Sequence, residues 1–135
     1  MITAIDTNVL LDIFTGDPRF GPASRNMLRR CLAEGAVIAC EVVCAETVAA
    51  FSDAQSAMEA MGLLEIAFAA IEEAHAAAAG IAWREYRRSG GTRNRVVADF
   101  LIGAHAVGRA DRLLTRDRGF YRSYFADLQV IDPSV

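Results

Sequence analysis

The chain has no lysine; all fourteen of its basic residues are arginine. Arginine suits bidentate recognition of phosphate, although in an alanine-rich chain a compositional bias is the better explanation of its use. Long apolar runs are also missing. No uncharged stretch reaches the ~18 residues that a membrane helix needs; the longest candidates are "AHAAAAGIAW" and "FLIGAHAVG", so no membrane-spanning helix is expected. No basic leader precedes the strand-like sequence at Ile2, and the expectation is a cytoplasmic protein without a secretory signal. Cysteines are few. Cys31, Cys40 and Cys44 form no C-x-x-C pair and have no histidines at zinc-ligand spacing, which makes them buried structural thiols. Repeats, linkers and low-complexity tails are absent too, and 135 residues suffice for one compact domain spanning 1–135. The net charge of -3 and a pI near 5.3 argue against an electropositive shell made for nucleic acid.

Apolar residues are plentiful, at 53% with a mean hydropathy of +0.23. Even with alanine supplying much of that count, some apolar surface is expected to face a partner. "ITAI" reads as a short buried strand, and "TNVLLDIF" has helical spacing with Thr7 or Asn8 available as N-cap. "GDPRFGP" is a loop, and "ASRNMLRRCLAEG" places Met27, Leu28, Cys31 and Leu32 on one helical face before Gly35. "AVIA" is a second strand. The helical segment after it, "CEVVCAETVAAFSDAQSAMEAMG", breaks near Ser52 or Asp53. "LLEIAF" is an edge strand. A long helix from Ala69 to Arg88 leads into the polar loop "RRSGGTRNR", and "VVADFLIGAHAVGR" is a further helix. "RLLT" and "LQVID" are strands flanking a short helical "RGFYRSYF". Such alternation predicts a mostly parallel sheet covered by helices on both faces, with the functional site beyond the carboxyl ends of the strands.

That rule points to Asp6, which follows "ITAI", and to Asp117, which closes "RLLTRD". Two more acids sit on helices among apolar neighbours. Glu46 shares a face with Val42, Val43, Ala49 and Ala50, and Asp99 shares one with Val96, Ile102 and Gly103. A buried carboxylate costs several kcal/mol and stays protonated unless compensated. Arginine can compensate through ion pairs, and a hard divalent cation by taking the carboxylate oxygens. Taken singly, each acid is explained by a cap or a surface pair, Asp6 as the N-cap of the helix beginning at Thr7. The metal reading gains force only if the four converge. His75 and His105 fit ordinary helix positions.

With these residues in place, the chain resembles a known family. "AIDTNVLLD", "CEVVCAE", "VADFLIGAHA" and "LLTRDRGFYRSYF" followed by "LQVIDP" are similar to PIN-domain ribonucleases of the VapC toxin type, in the same order and over essentially the whole chain. The resemblance implies a three-layer α/β/α PIN-like domain. It also implies that Asp6, Glu46, Asp99 and Asp117 are a catalytic quartet binding Mg²⁺ or Mn²⁺. Thr7, Asn8 and Thr115 match positions where the family commonly places polar residues in support, with helix capping and a strand-end turn as equally good explanations.

The activity so implied is metal-dependent hydrolysis of an RNA phosphodiester, with in-line attack by an activated water. Either two ions share the work or one ion acts beside a carboxylate base. Substrate contact is expected from Arg87, Arg88, Arg93 and Arg95 around the glycine loop and from Arg116 and Arg118 beside Asp117, a solvated charged loop being the plainer reading. The resemblance further implies a homodimer and a cognate VapB-like antitoxin that covers the acidic site.

Three rivals are weighed. A haloacid-dehalogenase-type phosphatase also opens on an aspartate after its first strand, but it needs a lysine and a second aspartate two residues on, and both are absent. A catalytically silent PIN-like module binding RNA or protein would have no need of four acids. A nuclease acting on DNA would use the same chemistry without the 2′-OH.

Overall fold

A computed structural model describes residues 1–91 and 97–135. Five strands, β1 (Ile2–Ile5), β2 (Ala36–Ala39), β3 (Ile66–Phe68), β4 (Arg112–Leu114) and β5 (Val130–Ile131), form one sheet in the order β3-β2-β1-β4-β5. Every pairing is parallel, with Ala4 opposite both Ile38 and Leu113. The helices among the described residues are α1 (Thr7–Phe14), α2 (Gly21–Glu34), α3 (Glu41–Ala49), α4 (Ala54–Leu63), α5 (Glu73–Arg88), α6 (Val97–Arg109) and α7 (Arg118–Tyr124). On β1, Thr3, Ala4 and Ile5 are all buried. Successive strand residues face opposite sides, so both faces of the sheet are covered and the layers are α/β/α.

The helix after β1 begins where the sequence suggests, and of the caps it offers Asp6 is the one used, its carboxylate accepting from the Thr7 N–H, while Thr7 and Asn8 lie inside the helix. The segment 41–63 breaks as expected, with Asp53 capping α4 through the Ser56 N–H. The long helix opens at Glu73, four residues later than the apolar pattern suggests, since Ala69 still bonds to the sheet through the Ala39 carbonyl. Cys31 and Cys40 are buried and Cys44 is partly so, all as free thiols.

Two features of the core fix the frame around the strand ends. Arg112 is buried in β4, where it donates to Thr3 Oγ1 at 2.9 Å and pairs with Glu34 at 2.8 Å, tying the sheet to the end of α2. Behind α6 and α7, Phe100 packs edge-on against Phe120 at 5.2 Å and lies 5.6 Å from Tyr86 of α5. Gly103 is required here, because a Cβ at that position would run into the Phe125 ring. The connections after β1 and β4 leave in opposite directions across the sheet, toward β2 and β5 respectively. A crevice therefore opens at the carboxyl ends of these two neighbouring strands.

Candidate active site

Asp6 is the first residue beyond β1 and Thr115 the first beyond β4, joined at backbone level by the Asp6 N–H donating to the Leu114 carbonyl at 2.9 Å. Their side chains meet: Thr115 Oγ1 donates to Asp6 Oδ2 at 2.7 Å. Asn8 Nδ2 lies 3.3 Å from both Asp6 Oδ2 and Thr115 Oγ1. Thr115 Oγ1 also accepts from the Asp117 N–H at 3.0 Å. Thr7 Oγ1 donates to Glu46 Oε1 at 2.7 Å, linking the start of α1 to α3. All three polar residues singled out beside the acids thus touch an acid side chain or the backbone that carries one.

The four acids come from four different elements and differ in exposure. Asp6 is buried, Asp99 in the first turn of α6 and Asp117 ahead of α7 are partly buried, and Glu46 is exposed. The expectation that Glu46 sits on a buried stripe is corrected. Ala49 and Ala50 on its face are exposed, Val42 is partly buried and only Val43 is buried, so this side of α3 is turned largely to solvent. Of the neighbours expected for Asp99, Ile102 and Gly103 are buried, and Val96 lies outside the described residues. Asp117 precedes α7 but its carboxylate does not cap that helix.

The electrostatics link these positions. Burial lifts the Asp6 carboxyl from 3.8 to about 6; hydrogen bonds from Thr115, Thr7 and Tyr121 oppose the rise, and the charge of Asp99 adds to it. The Tyr121 phenol is held above its ordinary value, first by burial, then by the charges of Asp6, Asp99 and Asp117 and its hydrogen bond to Asp6. Tyr121, on α7, thus hydrogen-bonds Asp6 and lies within the field of Asp99 and Asp117. Sequence reasoning missed it, although its spacing four residues after Asp117 places the two on one helical face.

Among the described residues, no group of three His, Cys, Asp or Glu side chains is drawn close enough to hold a metal ion as it stands. The donor set is nonetheless of one kind, carboxylate oxygens. Asp6 is met by hydroxyl, amide and phenol donors, and no cationic partner faces it among the described residues. A buried acid with a neighbouring negative charge and no cation fits a hard divalent ion.

The arginines divide. Arg116 is turned inward, where Nε and Nη2 grip Asp12 at 2.7 and 3.0 Å with its side chain 27% exposed and that of Asp12 only 6%. Arg116, expected from the sequence to contact RNA, is thus engaged with Asp12 in the folded chain. Arg118 leans toward Asp132 at 3.7 Å and stays 42% exposed. Arg87 stacks over Trp83 at 4.4 Å, and Arg88 lies 3.8 Å from Glu85 on the exposed end of α5. Arg93 and Arg95 lie outside the described residues.

Comparison with known proteins bears on this geometry. A VapBC2 chain from Rickettsia felis, in a complex bound to a DNA fragment from their promoter, superposes with a TM-score of 0.75 at 18% identity over 98% of both chains. FitAcB from Neisseria gonorrhoeae gives 0.68 at 25% identity, again over 98% of both. VapC20 from Mycobacterium tuberculosis, a sarcin-ricin loop cleaving toxin, gives 0.63 at 14% identity over 94% of this chain and 98% of that one. A comparison with curated proteins finds no significant match. At such identities the low-identity superpositions speak for the fold. The model of the PIN domain family, however, matches residues 3–126, nearly the full length, and the chain belongs to that family.

Proposed function

We propose that this PIN domain is a VapC-type toxin, a metal-dependent endoribonuclease held in check by a cognate VapB-like antitoxin. The observation that carries the reading is the buried Asp6 carboxylate at the β1–β4 crevice, braced by Thr115 and Asn8, with the charge of Asp99 raising its pKa further. Asp6, Glu46, Asp99 and Asp117 would hold Mg²⁺ or Mn²⁺, both being oxygen-seeking. When bound, such an ion supplies Lewis-acid polarisation of the phosphodiester and a more acidic attacking water. The protein's own contribution is positional. Thr115 and the Thr7 N–H fix both Asp6 oxygens, Thr7 Oγ1 steadies Glu46, and Tyr121 closes the crevice floor against the core.

RNA is brought in from the rim. Of the arginines expected at the RNA, Arg87 and Arg88 are exposed and Arg118 is partly so, and Arg93 and Arg95 are retained as proposed contacts from the sequence. Apolar side chains left in solvent support partner binding. Met58 and Leu63 on α4 and Phe68 on β3 are 50%, 85% and 58% exposed, in keeping with a homodimer and a bound antitoxin.

Incubating the purified chain and Asp6→Asn with structured RNAs tests the proposal. With Mg²⁺ or Mn²⁺ the parent chain cleaves internal bonds, and both the substitution and a chelator reduce cleavage to background. Cleavage that survives both defeats the metal mechanism. A parent chain that binds RNA without cutting it under any divalent cation favours the silent binding module.

A further inference from the structure

Asp12 and Arg116 stand outside the acid quartet, yet they are among the most firmly held charges in the molecule. Besides the two contacts to Arg116, Asp12 Oδ2 accepts from Ser24 Oγ at 2.9 Å. The Arg116 guanidinium lies 4.0 Å above the Phe20 ring, and its backbone N–H donates to Asn8 Oδ1 at 3.2 Å. Arg116 therefore has its side chain anchored on α1 and α2 and its backbone anchored on the residue that also hydrogen-bonds Asp6. Its chain neighbours on either side are Thr115 and Asp117.

We propose that Asp12 and Arg116 form a positioning pair, which sets the backbone of the 115–117 turn and thereby the aim of Thr115 and Asp117 at Asp6. Arg116 thus acts through the acid site and not on the RNA. The geometry favours this over phosphate contact for a specific reason. A planar guanidinium whose Nε–Nη2 edge is bonded to a buried carboxylate and whose face lies over an aromatic ring has only its outer N–H groups left for a phosphate. Releasing it to bind phosphate would leave Asp12 charged and buried without its partner. The turn itself is short, so a displacement of the Arg116 backbone is transmitted directly to the residues on each side.

The inference rests on the proposed metal-binding function for its strongest readout, but it is tested separately from it. Mn²⁺ affinity is measured by calorimetry for the parent chain, Arg116→Lys, Arg116→Met and Asp12→Asn. Affinity for a fluorescein-labelled single-stranded RNA is measured in chelator. Amide exchange of residues 115–117 is followed without metal. Asp12→Asn preserves shape and an oxygen for Ser24, and it serves if Arg116→Met does not fold.

The expected result is a loss of about tenfold in Mn²⁺ affinity for Arg116→Met and Asp12→Asn. Arg116→Lys, which keeps the charge but one donor direction, falls between. RNA affinity and its salt slope stay within twofold, and amides 115–117 exchange faster in Asp12→Asn. Lower RNA affinity with unchanged Mn²⁺ affinity overturns the proposal and returns Arg116 to the substrate. If the parent chain takes up no Mn²⁺, the metal reading fails. The pair is then judged on exchange alone, with unaltered protection in Asp12→Asn counting against it and faster exchange for it.

Discussion

Under the carboxyl ends of β1 and β4, Asp6, Thr115, Asp12 and Arg116 are held by partners at 2.7–3.0 Å, whereas at the end of α5 the charges lean on one another loosely. There Arg84 and Arg88 share Glu85 at 3.7 and 3.8 Å with all three side chains at least 46% exposed. The same residue type is a fixed brace in one region and a movable contact in the other. Burial makes the difference. A desolvated charge must be matched by directional partners or it destabilises the fold, while a solvated one costs little to leave and little to recruit. A binding rim needs the second property and a metal-holding floor the first.

The largest expected effect lies on the floor, at Asp6. Its folded carboxyl titrates near 6 against 3.8 when unperturbed, so the folded state binds the proton more tightly. The resulting stabilisation is fully present below about 3.8 and is lost as pH rises through about 6. The metal-free chain should be less stable at pH 7.5 than at pH 3 by about 3 kcal/mol from this group, about half of it lost between pH 5 and pH 7.5. Urea midpoints measure it, and Asp6→Asn should flatten that segment of the pH profile. Added Mn²⁺ should recover stability at pH 7.5 and do less at pH 5, where protons compete for the oxygens. An unchanged profile in Asp6→Asn would refute the assignment.

Arg116 comes next. Replacing it with Met strands the Asp12 carboxylate, at a cost of about 2–3 kcal/mol. Arg88→Ala on the rim should stay within about 0.5 kcal/mol. Equal costs would erase the distinction between the two regions.

How much of this was legible in the sequence follows from the range of the forces involved. The strands "ITAI" and "AVIA", the helix 7–14 and the break before Ala54 are written in local pattern and turn chemistry, and the structure keeps them. Asp6 and Asp117 were found from a rule about strand ends, which topology alone can satisfy. Glu46 was misjudged because alanine counts as apolar whether or not anything covers it, and here Ala49 and Ala50 face solvent. The Asp12–Arg116 pair escaped because it joins residues 104 apart, a distance at which no periodicity speaks. Even so, Asp12 lies one helical turn beyond Asn8 in an otherwise apolar helix, a faint local hint that the acid had a partner.

The smallest effects belong to the rim, and they separate binding from folding most cleanly. Arg84, Arg87 and Arg88 substituted by Ala should leave urea midpoints nearly unchanged, since their pairs are exposed and long. If the rim engages RNA phosphates, each lost contact should lower the slope of log affinity against log salt by about 0.7 for a single strand. Trp83 is the only tryptophan in the chain and lies under Arg87, so its fluorescence reports this spot alone. RNA added to Asp6→Asn in chelator should change that emission with the same midpoint as an independent binding assay, without any cleavage to confuse the signal. A silent Trp83 together with an unchanged salt slope in the Ala variants would move the RNA path off α5. The remaining described candidate of the expected set would then be Arg118, next to Asp117 in the chain, so the comparison between floor and rim would survive with a different rim.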